Sequence, residues 1–140
     1  MLTIKKYANS ILKKYPVKIA YLFGSYATGT ETDKSDLDIA LVFGKNIEQK
    51  SLLNYEMEIT SQFTEKCNMT CDVRSIDNAP LRVKGEIITN GILLFSSDED
   101  YRIDFETITR DRYFDFKPAL DYMRQIYFES IKQRGIHGST

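Results

Sequence analysis

The sequence predicts an α/β domain on three observations. Short runs rich in β-branched and aromatic residues alternate with stretches of helical periodicity. The second of those runs is apolar almost throughout, as expected of a strand covered on both faces. And 140 residues, 42% of them hydrophobic, suffice for one core that hides roughly two-thirds of the unfolded surface.

Taken in order, residues 2–15 place Ile4, Ala8, Ile11, Leu12 and Tyr15 at helical spacing, with Lys5, Lys6, Lys13 and Lys14 between them. That pattern predicts an amphipathic helix, not a signal peptide. Pro16 stops it, and 17–23 reads as a short buried strand broken by Gly24. A polar loop, 25–35, leads to a second strand over 36–43, which Gly44 ends.

Asn46 with Gln49 resembles a capping box, and Leu52, Tyr55, Ile59 and Phe63 carry a helix over 47–66. Residues 69–76 form a third strand. Pro80 opens a helix that Asn90-Gly91 closes, and 92–95 makes a fourth strand. Ser97 with Asp100 predicts another cap, and the acidic first turn suits the positive end of a long final helix. Its stripe of Phe116, Leu120, Met123, Tyr127 and Ile131 reads as core first, with some of it open to a partner. One domain is expected over 1–134, its helical extension starting near 98. Residues 135–140, which include the only histidine, His137, are expected to be a flexible tail.

Nineteen basic and twenty acidic side chains leave a net charge of -1, so no general field draws the chain to nucleic acid and no direct nucleic-acid contact is expected. No apolar run approaches the ~20 residues that a membrane span needs. Cys67 and Cys71 have no neighbouring histidine and read as reduced, buried thiols, which places the protein in the cytoplasm.

The chemistry lies in Gly24-Ser25, a spacer of about ten residues, and then Ser35-Asp36-Leu37-Asp38 entering a strand. Residues two apart on a strand share a face, so Asp36 and Asp38 converge while Leu37 and Ile39 pack the other way. Two carboxylates held that close repel one another unless a divalent cation sits between them, and such oxygen ligands favour magnesium or manganese. Asp72, in the strand Thr70-Cys71-Asp72-Val73, is a third carboxylate that needs a partner among apolar neighbours, and the same metal site would supply it. Gly24-Ser25, at the end of the first strand, permits close backbone approach, and a short helix after it offers free N–H groups to phosphates. A phosphate cradle beside a carboxylate metal site is equipment for in-line displacement at phosphorus.

These residues resemble the nucleotidyltransferase superfamily, whose signature is a Gly-Ser, a spacer, an Asp-x-Asp on the next strand and a third Asp later: here Gly24, Ser25, Asp36, Asp38 and Asp72. Ala79-Pro80, the run Ile88 to Phe95 and Arg112-Tyr113-Phe114-Asp115-Phe116 further resemble the minimal nucleotidyltransferases of the MNT/HEPN toxin-antitoxin type. The resemblance implies a nucleotidyltransferase fold, a small mixed sheet flanked by helices with a C-terminal helical extension. It implies an antitoxin that neutralises a HEPN-type ribonuclease toxin by transferring AMP from ATP to a toxin tyrosine. Asp36 and Asp38 would hold two Mg2+ ions, Asp72 would complete one site and help the acceptor hydroxyl lose its proton, and Gly24 and Ser25 would hold the β and γ phosphates.

The chain departs from many relatives at Ala27-Thr28-Gly29, where they carry Arg or Lys. A weaker hold on the triphosphate is expected, with Lys34 as a candidate substitute. Two other readings are small-molecule adenylylation of the aminoglycoside-modifying type, whose members usually carry an additional substrate domain, and a binding module that masks its toxin without catalysis.

Overall fold

The structure, a computed structural model, describes the backbone of residues 1–138 and the side chains of residues 1–132. Its elements run α1 (Leu2–Leu12), β1 (Ile19–Phe23), α2 (Ser25–Thr28), β2 (Leu37–Val42), α3 (Gln49–Cys67), β3 (Cys71–Ser75), α4 (Leu81–Asn90), β4 (Ile92–Ser96) and α5 (Glu99–Gly138). The sheet has the order β3-β2-β1-β4. β1 pairs antiparallel with both β2 and β4, and β2 pairs parallel with β3 through the α3 crossover, so the sheet is mixed.

Alternation along the strands sorts the core into two layers. Leu37, Ile39 and Leu41 of β2 face α1 and α3, where Ala8, Ile11, Leu12, Ile59 and Phe63 are buried against them. Ala40 and Val42 point the other way, with Ile19 and Tyr21 of β1, onto Ile87 and Ile88 of α4 and the first turns of α5. β2 therefore has apolar residues on both faces, which is why its sequence shows no clean alternation. Where the even-numbered row leaves the shelter of α4, at the start of the strand, it carries aspartates instead.

The sequence misplaces two helix starts. Asn46 does not cap α3: it sits in the left-handed region at φ 72, close behind Gly44 at φ 93, and Glu48 takes the N-cap position without a side-chain cap. The tight exit from β2 uses Asn46 as a turn residue, a conformation that asparagine tolerates. For α5, Asp98 caps in place of Ser97, accepting the Tyr101 N–H at Oδ1 (3.0 Å), while the Ser97 hydroxyl donates to the Val17 carbonyl (2.7 Å).

The stripe on α5 is also not core. Phe116, Met123, Tyr127 and Ile131 are 56, 64, 62 and 43% exposed. The side chains of α5 that pack on the domain, Tyr101, Phe105, Thr109 and Tyr113, all lie in its first half. Length explains this: a helix of 40 residues spans about 60 Å, whereas five- or six-residue strands span about 20 Å, so α5 outruns the sheet it covers. The helix continues through Gly138, into the segment 135–140 expected to be a tail, whose last two residues lie outside the described residues. Among the described residues no helix is long and apolar enough to cross a membrane.

Cys67 and Cys71 are free thiols, and burial pushes Cys71 up to about 11.

Candidate active site

The ends of three strands meet at one edge of the domain. In the ladder Phe23 of β1 lies opposite Asp38 of β2, and Asp38 lies beside Asp72 of β3. Register neighbours share a face of the pleat, so Asp38 and Asp72 project to the same side. Leu37 and Ile39 are fully buried on the opposite face. Asp38 and Asp72 thus come from neighbouring strands and share one side of the sheet, while Asp36 stands just ahead of β2, near enough for its charge to act on Asp38.

Their charges act on one another. Burial first, then the charges of Asp72 and Asp36, raise the Asp38 carboxyl above its usual range, and the Arg74 guanidinium opposes them. Asp72 is not isolated among apolar groups: it is 41% exposed, and its Oδ1 accepts the Arg74 Nε–H at 3.1 Å.

Gly24 closes the site on the β1 side. It has φ 76, and a Cβ there would collide with Asp38 Oδ2, so glycine is required both by its backbone and by the carboxylate over it. Ser25 begins α2, and Gly29, in the left-handed region, ends it. The first N–H groups of a helix have no partner within the helix, so the Gly24-Ser25 turn presents amide donors next to the acids.

A cavity of about 410 Å³ adjoins this turn, lined by Phe23, Gly24 and Thr28 on one side and by Val83, Glu86, Ile87 and Asn90 of α4 on the other. Sequence reasoning assigned none of these α4 residues to the site. What brings them there is Gly91: a Cβ at that position would lie 2.9 Å from the Leu22 carbonyl, so glycine alone lets the end of α4 close on the end of β1. Lys34, the candidate basic residue, instead lines a separate cavity of about 690 Å³ with Tyr26, Asp36 and Cys67.

The donor chemistry fits a hard divalent ion: carboxylate oxygens on one face, and in Asp38 a charge opposed by burial and by two like neighbours that a cation would relieve. Among the described residues no three acidic, histidine or cysteine side chains close around a single point. The acids neighbour one another without enclosing a finished ion cage.

Comparison with known proteins identifies the family. The family model for polymerase beta-type nucleotidyltransferases matches residues 6–100, which takes in Gly24, Ser25 and all three aspartates. The provisionally named protein adenylyltransferases MJ1379 and MJ0435 of Methanocaldococcus jannaschii are 44% identical over 43 residues and 45% identical over 60. Those matches cover 31% and 39% of this chain, and 43% and 61% of the relatives. The chain therefore spans about half the length of the curated relatives it matches.

Among solved structures, a chain of a toxin-antitoxin crystal structure with AMP-PNP superposes with a TM-score of 0.67 at 18% identity, over 91% of this chain and 98% of that one. A chain of the tri-AMPylated Shewanella oneidensis HEPN toxin in complex with MNT antitoxin gives 0.62 at 18% identity, over 92% and 96%. At that identity the likeness is one of fold. With a family model that matches residues 6–100, most of the chain, the chain belongs to the polymerase beta-type nucleotidyltransferase family.

Proposed function

We propose that this chain transfers AMP from ATP to a hydroxyl, in a magnesium-dependent reaction whose acceptor is a tyrosine of a HEPN-type toxin. The observation that carries the reading is Asp38 beside Asp72 in the ladder and against the Gly24-Ser25 turn, with the charge of Asp36 close enough to act on Asp38. Support for a protein acceptor comes from relatives named as protein adenylyltransferases, and from fold neighbours that are toxin-antitoxin complexes, one with AMP-PNP and one with an AMPylated toxin.

The residues divide the work. Gly24 lets phosphate approach the backbone, and the first amides of α2, beginning at Ser25, donate to the β and γ phosphate oxygens. The cavity between Phe23 and α4 has the volume and apolar walls for the nucleoside. Asp36 and Asp38 would hold both magnesium ions, and Asp72 would complete one site. Such ions, when bound, would supply a lower pKa for the acceptor hydroxyl and charge neutralisation for the departing pyrophosphate. The acceptor oxygen forms a bond to the α-phosphorus as the bridge to the β-phosphate breaks, and Asp72 receives the hydroxyl proton. A phenol, with pKa ~10, needs little help in losing it. Positioning of the in-line geometry by the Gly24-Ser25 turn supplies much of the remaining acceleration.

The exposed apolar side chains of α5, among them Phe116, Met123 and Tyr127, favour a protein partner over a free sugar. The test is to incubate the chain with labelled ATP, magnesium and a HEPN partner and to weigh the partner. A mass gain of AMP that disappears with Asp36→Ala or Asp38→Ala is expected. Neutralisation of the toxin without mass change, unaffected by either substitution, would leave only a masking module.

A further inference from the structure

Arg74 follows Asp72 by two residues in β3, so both side chains leave the sheet on the same side. Its Nε donates to Asp72 Oδ1 at 3.1 Å, and among the described residues the guanidinium makes no other hydrogen bond. Its neighbour in the ladder is Ala40. Arg74 is also the cation whose charge reaches Asp38. A basic side chain therefore holds one oxygen of the third carboxylate, and among the described residues the three acids do not close around one point.

We propose that Arg74 is a resident counter-charge for Asp72, which a divalent ion must displace, so that this arginine lowers the ion affinity of the site and sets the concentration at which it fills. The inference rests on the metal-dependent reading above. Arg74 is a positioning residue here: it acts by holding Asp72, not by touching substrate. The side chains of Arg74 and Asp72 are 72% and 41% exposed, and exposed pairs of this kind are weak, so the ion wins the competition and the effect is a tuning one. It is also screened by salt.

The test uses Mn2+ alone, with the full chain and no nucleotide, titrated by electron paramagnetic resonance at low ionic strength. Arg74→Gln is expected to bind Mn2+ about two- to fivefold more tightly than the parent protein. Asp72→Asn is expected to bind it more weakly, and adding Arg74→Gln to Asp72→Asn is expected to bring no further gain, because the pair is already broken. Equal or weaker binding by Arg74→Gln overturns the proposal, and so does a gain that persists beside Asp72→Asn, which would reduce Arg74 to a general surface charge. If the parent protein itself takes up no Mn2+, the metal-dependent reading fails first and this inference with it. Arg74 is exposed on an edge strand, and an unchanged thermal midpoint for Arg74→Gln would confirm that the variant is folded.

Discussion

The ring of Tyr113 on α5 lies directly against the α-carbon of Gly85 on α4, leaving no space for a side-chain carbon between them. Both residues are buried, and the contact sets how closely the two helices approach over the sheet. Gly85→Ala should force them apart. Overpacking of this kind costs about 1–3 kcal/mol, less any gain in helix propensity from replacing glycine. Urea unfolding is expected to show a lower midpoint at unchanged slope.

Gly24→Ala is expected to separate chemistry from folding. The added methyl meets Asp38 Oδ2, and the residue must hold φ 76 with ψ -154, a backbone region left almost wholly to glycine, at a strain of about 1–3 kcal/mol. The turn is exposed, so the domain should survive, while AMP transfer should fall by about 100-fold or more as the phosphate cradle and Asp38 are both displaced. A variant that transfers AMP at the parent rate would remove Gly24 from the site.

The cap of α5 predicts a pH dependence. The Tyr101 N–H, and then Lys18 at 3.4 Å, hold the Asp98 carboxyl below its usual range. A carboxyl depressed in the folded state stabilises above its unfolded pKa, near 4, and loses that contribution as pH falls through the lower folded value. Asp98→Ala should therefore lower the melting temperature at pH 7, with the gap to the parent closing progressively below about pH 4. Asp98→Asn, which keeps an oxygen for the Tyr101 N–H, should lie between the two. A gap that widens in acid would contradict the assignment.

The outer half of α5 should behave as a surface. Met123→Asp, at a position 64% exposed, is expected to change folding stability by no more than about 0.5 kcal/mol. The same substitution is expected to weaken capture of a HEPN partner at least tenfold, because it puts a charge into an apolar contact. An unfolded variant would show that the stripe packs on the domain, and undiminished capture would move the docking surface elsewhere.

The sequence showed most of what periodicity and spacing can carry. The strands around Leu22, Ile39 and Val73 and the helix through Ile59 and Phe63 stand out because each buries a continuous apolar face. The acids stand out because Asp36 and Asp38 lie one leucine apart at the entry to an apolar strand and Asp72 lies within another. What escaped notice depends on contacts distant along the chain. Whether Phe116 and Met123 are core depends on how far the sheet extends beneath α5, and local spacing carries no such information. Glu86 and Asn90 join the site only because Gly91 lets α4 close on β1. Ser97 and Asp98 are both good caps by type, and the Val17 carbonyl decides between them by taking the Ser97 hydroxyl.

The parallel pairing of β2 with β3 has a consequence for how the active centre comes into being. Asp36 and Asp38 are made before α3 and Asp72 after it, and nothing but the closed crossover brings them together. A nascent or partly unfolded chain carries every acid yet offers an incoming ion no common harbour. That pairing must close the loop through α3 before its contacts reward it. Competence to bind should therefore appear abruptly, with the docking of β3, and disappear first when that edge frays.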